Sequence, residues 1–341
     1  MKKPDQLCRV GIIGAGGWGT ALAHLLAGKG HEVTLWVRER EVHDQILKQK
    51  INPVFLPGVE LNPSIRPVLT YEETMERCEL AVLVVPSHVV REVVEGLKAF
   101  LRPGIPVVSA AKGIENQTLM TVSQVVADVI PEMDPGAFGC IAGPSFAREV
   151  ALGYPTAVTV ACRNQDLARR LQGVFYTETF RVYASGDVIG TELGGALKNV
   201  IAIGAGVADG LGFGHNARAA LITRGLAEIT RLAVAMGALP LTLAGLAGMG
   251  DLVLTCTGEL SRNRTVGLKI GRGMSLEEIQ SGMDMVAEGV RTALSAHELG
   301  KREGVDLPIT DQVYEILYRG KEPRDAVREL MTRELKMELE Y

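Results

Sequence analysis

Between Leu193 and Gly206 every residue is apolar or small except the neighbours Lys198 and Asn199. A helix that is apolar on every side is a buried one, and an ammonium inside it is costly unless it is paired or gives up its proton. With an ordinary pKa of about 10.4 a lysine is a poor base at neutral pH, whereas burial beside another cation brings it into working range. Lys198 is therefore a candidate general base; the competing reading is a rim lysine whose ammonium snorkels to water. Two further groups are candidates for the same chemistry. Lys112 closes the apolar run "VVSAAK", which puts its ammonium at the carboxyl edge of a sheet, and Asp251 is a lone acid among apolar residues in "AGLAGMGDLVLTC". Asp251 is placed to orient or balance Lys198, and a surface position is the bland alternative for Lys112. Gly143, Pro144 and Ser145 end another strand in a turn whose backbone and hydroxyl can meet an oxygen, or simply turn the chain. In Ser261-Arg262-Asn263-Arg264 a helix-capping hydroxyl, free N–H groups and guanidiniums converge as an anion site, against the plainer reading of a cap followed by a solvated loop.

The other pattern with chemical content is Gly14-x-Gly16-x-x-Gly19. It follows an apolar strand from Val10 to Ile13 and enters a helix expected over Thr20 to Gly28, with a second strand from His31 to Val37. In that setting the first glycine makes the turn, the second lets backbone approach a pyrophosphate and the third lets helix and strand pack closely. Trp18 inside the turn is either a packing ring over the strand ends or a ring against the bound nucleotide. The second strand ends on Arg38, followed by Glu39 and Arg40. An acidic residue at that place suits the ribose 2′-hydroxyl of NAD and an arginine suits the 2′-phosphate of NADP. Arg38 predicts NADPH as the preferred cofactor, with NADH still usable because Glu39 is adjacent; a solvated charged loop is the alternative.

Two styles of sequence position these groups. Up to about Ala184, the runs VGIIG, EVTLWV, ELAVLVVP, IPVVSAAK, GCIAGP, TAVTVAC and RVYAS alternate with helical segments, which reads as a doubly wound, mostly parallel α/β sheet. After Asp187 the text becomes Ala/Leu/Gly-rich and helical. The expected division is a dinucleotide-binding half over residues 1–186 and an all-helical half over 187–341, with no flexible linker and a cleft between them.

Composition excludes several classes. With 341 residues, 47% hydrophobic and 22% charged, the chain can bury a large core, and a net charge of −4 offers no field for a nucleic-acid backbone. Five cysteines lie without a C-x-x-C pair or a nearby histidine, so neither a metal site nor a disulfide framework is expected, and a reducing cytoplasm fits. The apolar stretches read as shorter than the roughly 20 residues of a membrane span. Apolar helices in the second half point to a homodimer.

Taken in order, "GAGGWGTALA", "AAKGIE", "AGPSFAREV", "ELGGALKNVIAIGAGVADGLG", "NARAALITRGLAEI", "GMGDLVLTCTGELSRNR" and "VAEGVRT" make the chain, from about Val10 onward, similar to the bacterial NAD(P)-dependent glycerol-3-phosphate dehydrogenases. The resemblance implies a Rossmann-like domain joined to a helical domain of the 6-phosphogluconate dehydrogenase type. It implies that Gly17, Trp18, Arg38, Lys112, Ala147, Arg262, Val286 and Glu288 contact the cofactor and that Lys112, Gly143, Ser145, Lys198, Asp251, Ser261, Arg262 and Asn263 contact a phosphorylated triose. It also implies that Lys198 is the proton acceptor and that the product feeds glycerophospholipid synthesis. Gly17 departs from the family pattern, which often has Ser or another side-chain donor there, so backbone alone would serve. A sister 3-hydroxy-acid dehydrogenase of the same architecture, or a non-catalytic NADP sensor, would share the first half but lacks a reason for "ELGGALKNVIAIGAG" with "SRNR".

Overall fold

The computed structural model describes residues 7–282, 287–335 and 337–338. Its first half is built on strands β1 (Arg9–Ile13), β2 (Glu32–Trp36), β3 (Ile51–Asn52), β4 (Leu56–Glu60), β5 (Arg66–Val68), β6 (Leu80–Leu83), β7 (Val107–Ser109), β8 (Phe138–Ala142), β9 (Thr156–Cys162) and β10 (Phe180–Ser185). Helices α1 (Gly17–Gly28), α2 (Arg40–Gln49), α3 (Tyr71–Met75), α4 (Val90–Lys98), α5 (Val122–Val129), α6 (Ala147–Ala151) and α7 (Gln165–Phe175) lie among them. Eight strands form one sheet in the order β10-β9-β8-β7-β6-β1-β2-β5. Every neighbouring pair is parallel except β8 with β9. Central strands such as Leu80–Leu83 are buried along their whole length because helices cover both faces, which is why they read as unbroken apolar runs. All seven runs expected as strands are strands. No such run marks β3 and β4, which form a separate hairpin, or β5. β3 is two residues long, β4 contains Pro57 and Gly58, and β5 contains Pro67, so none shows a strand pattern.

Strand register brings the functional turns together. Ile13 at the end of β1 pairs with Trp36 of β2 and Leu83 of β6, and Ser109 of β7 pairs with Leu83 and with Cys140 of β8. The turns leaving these five strands therefore share one edge. They hold Gly14 to Gly19, Arg38, Ser87, Lys112 and Gly143 to Ser145.

After Ser185 the chain is helical: α8 (Val188–Gly210), α9 (His215–Ala235), α10 (Pro240–Leu243), α11 (Asp251–Thr257), α12 (Arg262–Gly271), α13 (Leu276–Ser281), α14 (Glu288–Glu303), α15 (Pro308–Arg319) and α16 (Pro323–Met331). The axis of this half is α8, whose apolar faces are covered by α9, α11, α12, α14 and α15. Its glycines have a packing cause. A Cβ on Gly206 would run into the backbone of Arg264, and one on Gly267 into the backbone of Ile203, so α8 and α12 cross with their main chains in contact. The expectation that no apolar stretch reaches membrane length is corrected here: α8 is long and apolar enough to cross a membrane, as is the segment Pro240–Thr257. The window in α8 is 94% buried inside the protein, the position of a core helix.

Candidate active site

The glycine turn is held from several sides. Gly14 adopts φ +118° and a Cβ there would stand 2.6 Å from the carbonyl of Val84, so β1 can turn against β6 only with glycine. Helix α1 begins at Gly17, three residues before the expected Thr20, so Gly17, Trp18 and Gly19 are its first turn. That turn has no side-chain cap and no acidic residue, which leaves its N–H groups and the positive end of the helix for an anion. A Cβ on Gly16 would meet nothing within 4 Å, so the space in front of the turn is open. At Gly17 a Cβ would stand 2.6 Å from the carbonyl of Phe55, which explains why this position carries no side chain here. Asn52, buried in β3, donates to the carbonyl of Ala15 and to Thr20 Oγ1, both at 2.9 Å, and fixes the turn from below. Trp18 packs against the sheet core with its ring 6.5 Å from Phe180, while its indole N–H is buried and has no acceptor among the described residues. An orphaned donor, an uncapped helix start and an open glycine face fit a dinucleotide pyrophosphate.

Asp251 of the helical half joins two lysines. Its Oδ2 accepts from Lys112 Nζ at 2.6 Å and its Oδ1 pairs with Lys198 Nζ at 2.7 Å. Lys198 is 6% exposed and Asp251 1%, so the rim reading of Lys198 does not hold. Lys112 is further anchored by the carbonyl of Gly143 at 3.3 Å, which also accepts from Ser145 Oγ at 2.9 Å. Lys198 donates to Thr255 Oγ1 at 2.6 Å. Burial, reinforced by the charge of Lys112, pulls the Lys198 pKa down to about 8 against the opposing pull of Asp251. Burial works against the Asp251 carboxylate, but the two ammoniums outweigh it and hold its carboxyl below the usual range. The five-residue π-helical turn Leu246–Gly250 feeds directly into Asp251, and a Cβ on Gly194 of α8 would stand 2.5 Å from the carbonyl of Ala247 in that turn.

Ser261 is the N-cap of α12, accepting from the N–H of Arg264 at 3.2 Å. Arg262 is exposed and makes no hydrogen bond or ion pair among the described residues. Asn263 is committed on two sides: Nδ2 donates to Asn199 Oδ1 at 2.9 Å and Oδ1 accepts from the N–H of Gly289 at 2.9 Å. It ties α8, α12 and α14 together and retains one amide N–H. Arg264 does not face the cleft chemistry but pairs with Asp209 at the end of α8. Glu288 accepts from Ser87 Oγ at 2.7 Å, and burial pushes its carboxyl up. Ala147 opens α6, and its Cβ lies 3.8 Å from where a Cβ of Gly17 would be. Arg38 pairs with Glu39, Nη2 to Oε1 at 2.8 Å, with its side chain 75% exposed. Val286 lies outside the described residues. All five cysteines are free and buried.

Sequence reading missed Thr255, Asn52 and Ser87. Thr255 had a signal, since it stands four residues after Asp251 and thus on the same helical face. The other two act through contacts distant in sequence.

The chain matches the family model described as NAD-dependent glycerol-3-phosphate dehydrogenase N-terminus over residues 9–168 and the corresponding C-terminus model over residues 187–328. It is 56% identical over 330 residues to a glycerol-3-phosphate dehydrogenase (NAD(P)+) of Geobacter sulfurreducens, covering 97% of this chain and 98% of that one. It is 55% identical over 331 residues to the protein of that name from Anaeromyxobacter sp. (strain K), covering 97% and 100%. The crystal structure of glycerol-3-phosphate dehydrogenase from Coxiella burnetii matches with a TM-score of 0.92 at 38% identity, over 96% of this chain and 99% of that one.

Proposed function

Given that the chain belongs to the NAD-dependent glycerol-3-phosphate dehydrogenase family, we propose that it interconverts sn-glycerol 3-phosphate and dihydroxyacetone phosphate through the Lys112–Asp251–Lys198 cluster, with NADPH as preferred cofactor. The observation behind this reading is that cluster: a buried lysine of lowered pKa, held by a carboxylate shared with a second lysine that leaves the same sheet edge as the uncapped glycine turn. Residues 1–186 bind most of the dinucleotide and supply Lys112, Gly143 and Ser145 to the substrate, and residues 187–341 supply the base, the remaining substrate contacts and Arg262 and Glu288 to the cofactor.

When bound, the nicotinamide supplies or accepts the hydride at C2. Lys198 takes the C2 hydroxyl proton in oxidation and returns it in reduction. Lys112 donates to the same oxygen and stabilises charge that develops there. Asp251 fixes both ammoniums, so neither has to find its place during the reaction. The N-terminus of α12, Ser261, Arg262 and the free N–H of Asn263 meet the substrate's phosphate end, with Gly143 and Ser145 on the opposite wall. Gly14, Gly16, Gly17, Trp18 and Gly19 hold the pyrophosphate side, with Ala147, Arg262 and Glu288 around it.

The preference for NADPH rests on Arg38, with Glu39 leaving NADH acceptable. In this reading the enzyme is cytoplasmic, makes glycerol 3-phosphate for glycerophospholipids, and is a homodimer in which a second copy covers the apolar surface of Leu239 and Leu241, 62% and 85% exposed. The sister 3-hydroxy-acid dehydrogenase reading is not favoured, because the full-length relatives are named for glycerol 3-phosphate. The test is direct. Purified protein given dihydroxyacetone phosphate and NADPH should consume the nicotinamide absorbance; no oxidation of either NADPH or NADH would sink the enzyme reading. Arg38→Ala should raise the KM for NADPH more than that for NADH, and equal effects would return Arg38 to a solvated pair with Glu39.

A further inference from the structure

We propose that selection of the phosphorylated dinucleotide is made by three separate elements, Arg38 after β2, His88 in the turn after β6 and Arg291 on α14, so that the helical half supplies part of the 2′-phosphate site. The inference rests on the proposed preference for NADPH through Arg38.

The placement comes from the fold. β1 lies between β6 and β2, and Ile13 is in register with the last residue of each, so the turn after β6 and the end of β2 flank the glycine turn. The adenosine of a dinucleotide lies on that side, with its ribose hydroxyls over the end of the second strand. The hydrogen bond from Ser87 to Glu288, 2.7 Å, pins the turn Ser87–Val89 to the first residue of α14. His88 is the next residue in that turn. Arg291 stands three residues after Glu288, one helical turn along and on the same face. Both guanidiniums are within electrostatic reach of His88: burial first, then the charges of Arg291 and Arg38, push its imidazole below the ordinary pKa.

Two guanidiniums and an imidazole N–H brought to one place suit an anion with several acceptor oxygens, beyond what the single carboxylates of Glu39 and Glu288 beside the arginines supply. Arg291 and His88 have no hydrogen bond or ion pair among the described residues, and the ion pair of Arg38 is with its own neighbour, Glu39. A ribose 2′-phosphate brings a charge of about −1.5 to −2 and three acceptor oxygens, enough for two guanidiniums and one imidazole N–H. NADH offers a hydroxyl there instead, which Glu39 can accept from, and the two guanidiniums then gain nothing.

The experiment titrates the whole enzyme with 2′,5′-ADP and with 5′-AMP by calorimetry, in wild type, Arg38→Ala, His88→Asn, Arg291→Ala and Arg291→Lys. The expected result is that wild type prefers 2′,5′-ADP, that Arg291→Ala lowers this preference about tenfold, and that Arg291→Lys keeps part of it. The ratio of kcat/KM for NADPH over NADH should fall in step. Because Arg291 is exposed, its substitution leaves the core intact. If Arg38→Ala loses the preference while Arg291→Ala and His88→Asn retain it in full, the three-element site is overturned and the Arg38 reading stands. If wild type does not distinguish the two nucleotides, the NADPH preference itself has failed.

Discussion

Asp251 uses one oxygen for each of two ammoniums, so the proton on Lys198 is governed by a balance that can be tipped from either side. With burial and Lys112 lowering its pKa to about 8, Lys198 is mostly an ammonium at neutral pH and loses its proton just above. With Lys198 in the proposed role of base, oxidation of glycerol 3-phosphate uses the neutral amine and its rate should climb as pH rises through about 8, while reduction of dihydroxyacetone phosphate, which uses the ammonium, should fall over the same range. Asp251→Asn removes the charge that raises the Lys198 pKa and leaves burial and Lys112, which lower it. Both profiles should then move to lower pH, and a shift in the other direction would contradict the assignment. Lys198→Ala should cost about 10²–10⁴ in kcat while NADPH binding, followed by nicotinamide fluorescence, stays near wild type. Retention of more than about a tenth of the activity would contradict a general-base role.

At the scale of elements, buried carboxylates serve as helix caps. Glu228 on α9 accepts from the N–H of Ile309 at 2.6 Å and from the N–H and hydroxyl of Thr310, both at 3.1 Å, closing the start of α15 from 81 residues away. Burial pushes its carboxyl up from 4.5 to about 7 in spite of these bonds. A carboxyl raised on folding binds more protons in the folded than in the unfolded state, so its contribution is largest below pH 4.5 and shrinks as pH rises through about 7. Glu228→Ala should cost about 1–3 kcal/mol in urea unfolding by orphaning the donors, and the gap to wild type should narrow between pH 5 and 8. A gap that widens with pH would show that the α15 terminus, not burial, dominates this site. None of this was legible in the sequence, because a cap supplied from another helix leaves no local pattern. The central strands were legible because burial on both faces writes itself as an unbroken apolar run. Lys198 was legible for a related reason, as a charge where the period of α8 allows none. Proline-broken β4 and β5 were not, since only their neighbours make them strands.

In the whole molecule, the Lys112–Asp251–Lys198 cluster exists only because two halves meet in one register. Lys112 comes from the sheet edge and Asp251 from the helical half, and the segment between Lys112 and α5 is pinned on both sides of the boundary. Ile114 is buried in the core of the helical half, with its carbonyl accepting from Ser295 at 3.4 Å. Ser123 at the start of α5 donates its N–H and hydroxyl to the two oxygens of Glu192 on α8, at 2.7 and 2.6 Å. Sequence shows the members of the site, since each is a polar residue in an apolar or glycine-rich setting. It does not show the joint, whose polar groups look like ordinary surface residues until the halves are docked. Glu192 therefore offers a test of whether the joint matters to chemistry. Glu192→Ala leaves the N–H of Ser123 without its acceptor and its hydroxyl with Thr121 Oγ1 alone, 3.0 Å away, and should cost about 1–3 kcal/mol of stability, comparable to Glu228→Ala. The two should differ in function. Loosening the joint shifts Lys112 relative to Asp251 and Arg38 relative to Arg291, so Glu192→Ala should lower kcat by about tenfold to a hundredfold and reduce discrimination between NADPH and NADH. Glu228→Ala, which acts within one half, should change neither beyond its effect on the folded fraction. Equal losses of stability with kcat unchanged in both variants would mean that Ile114 and the packing of α8 against the sheet hold the register without Glu192.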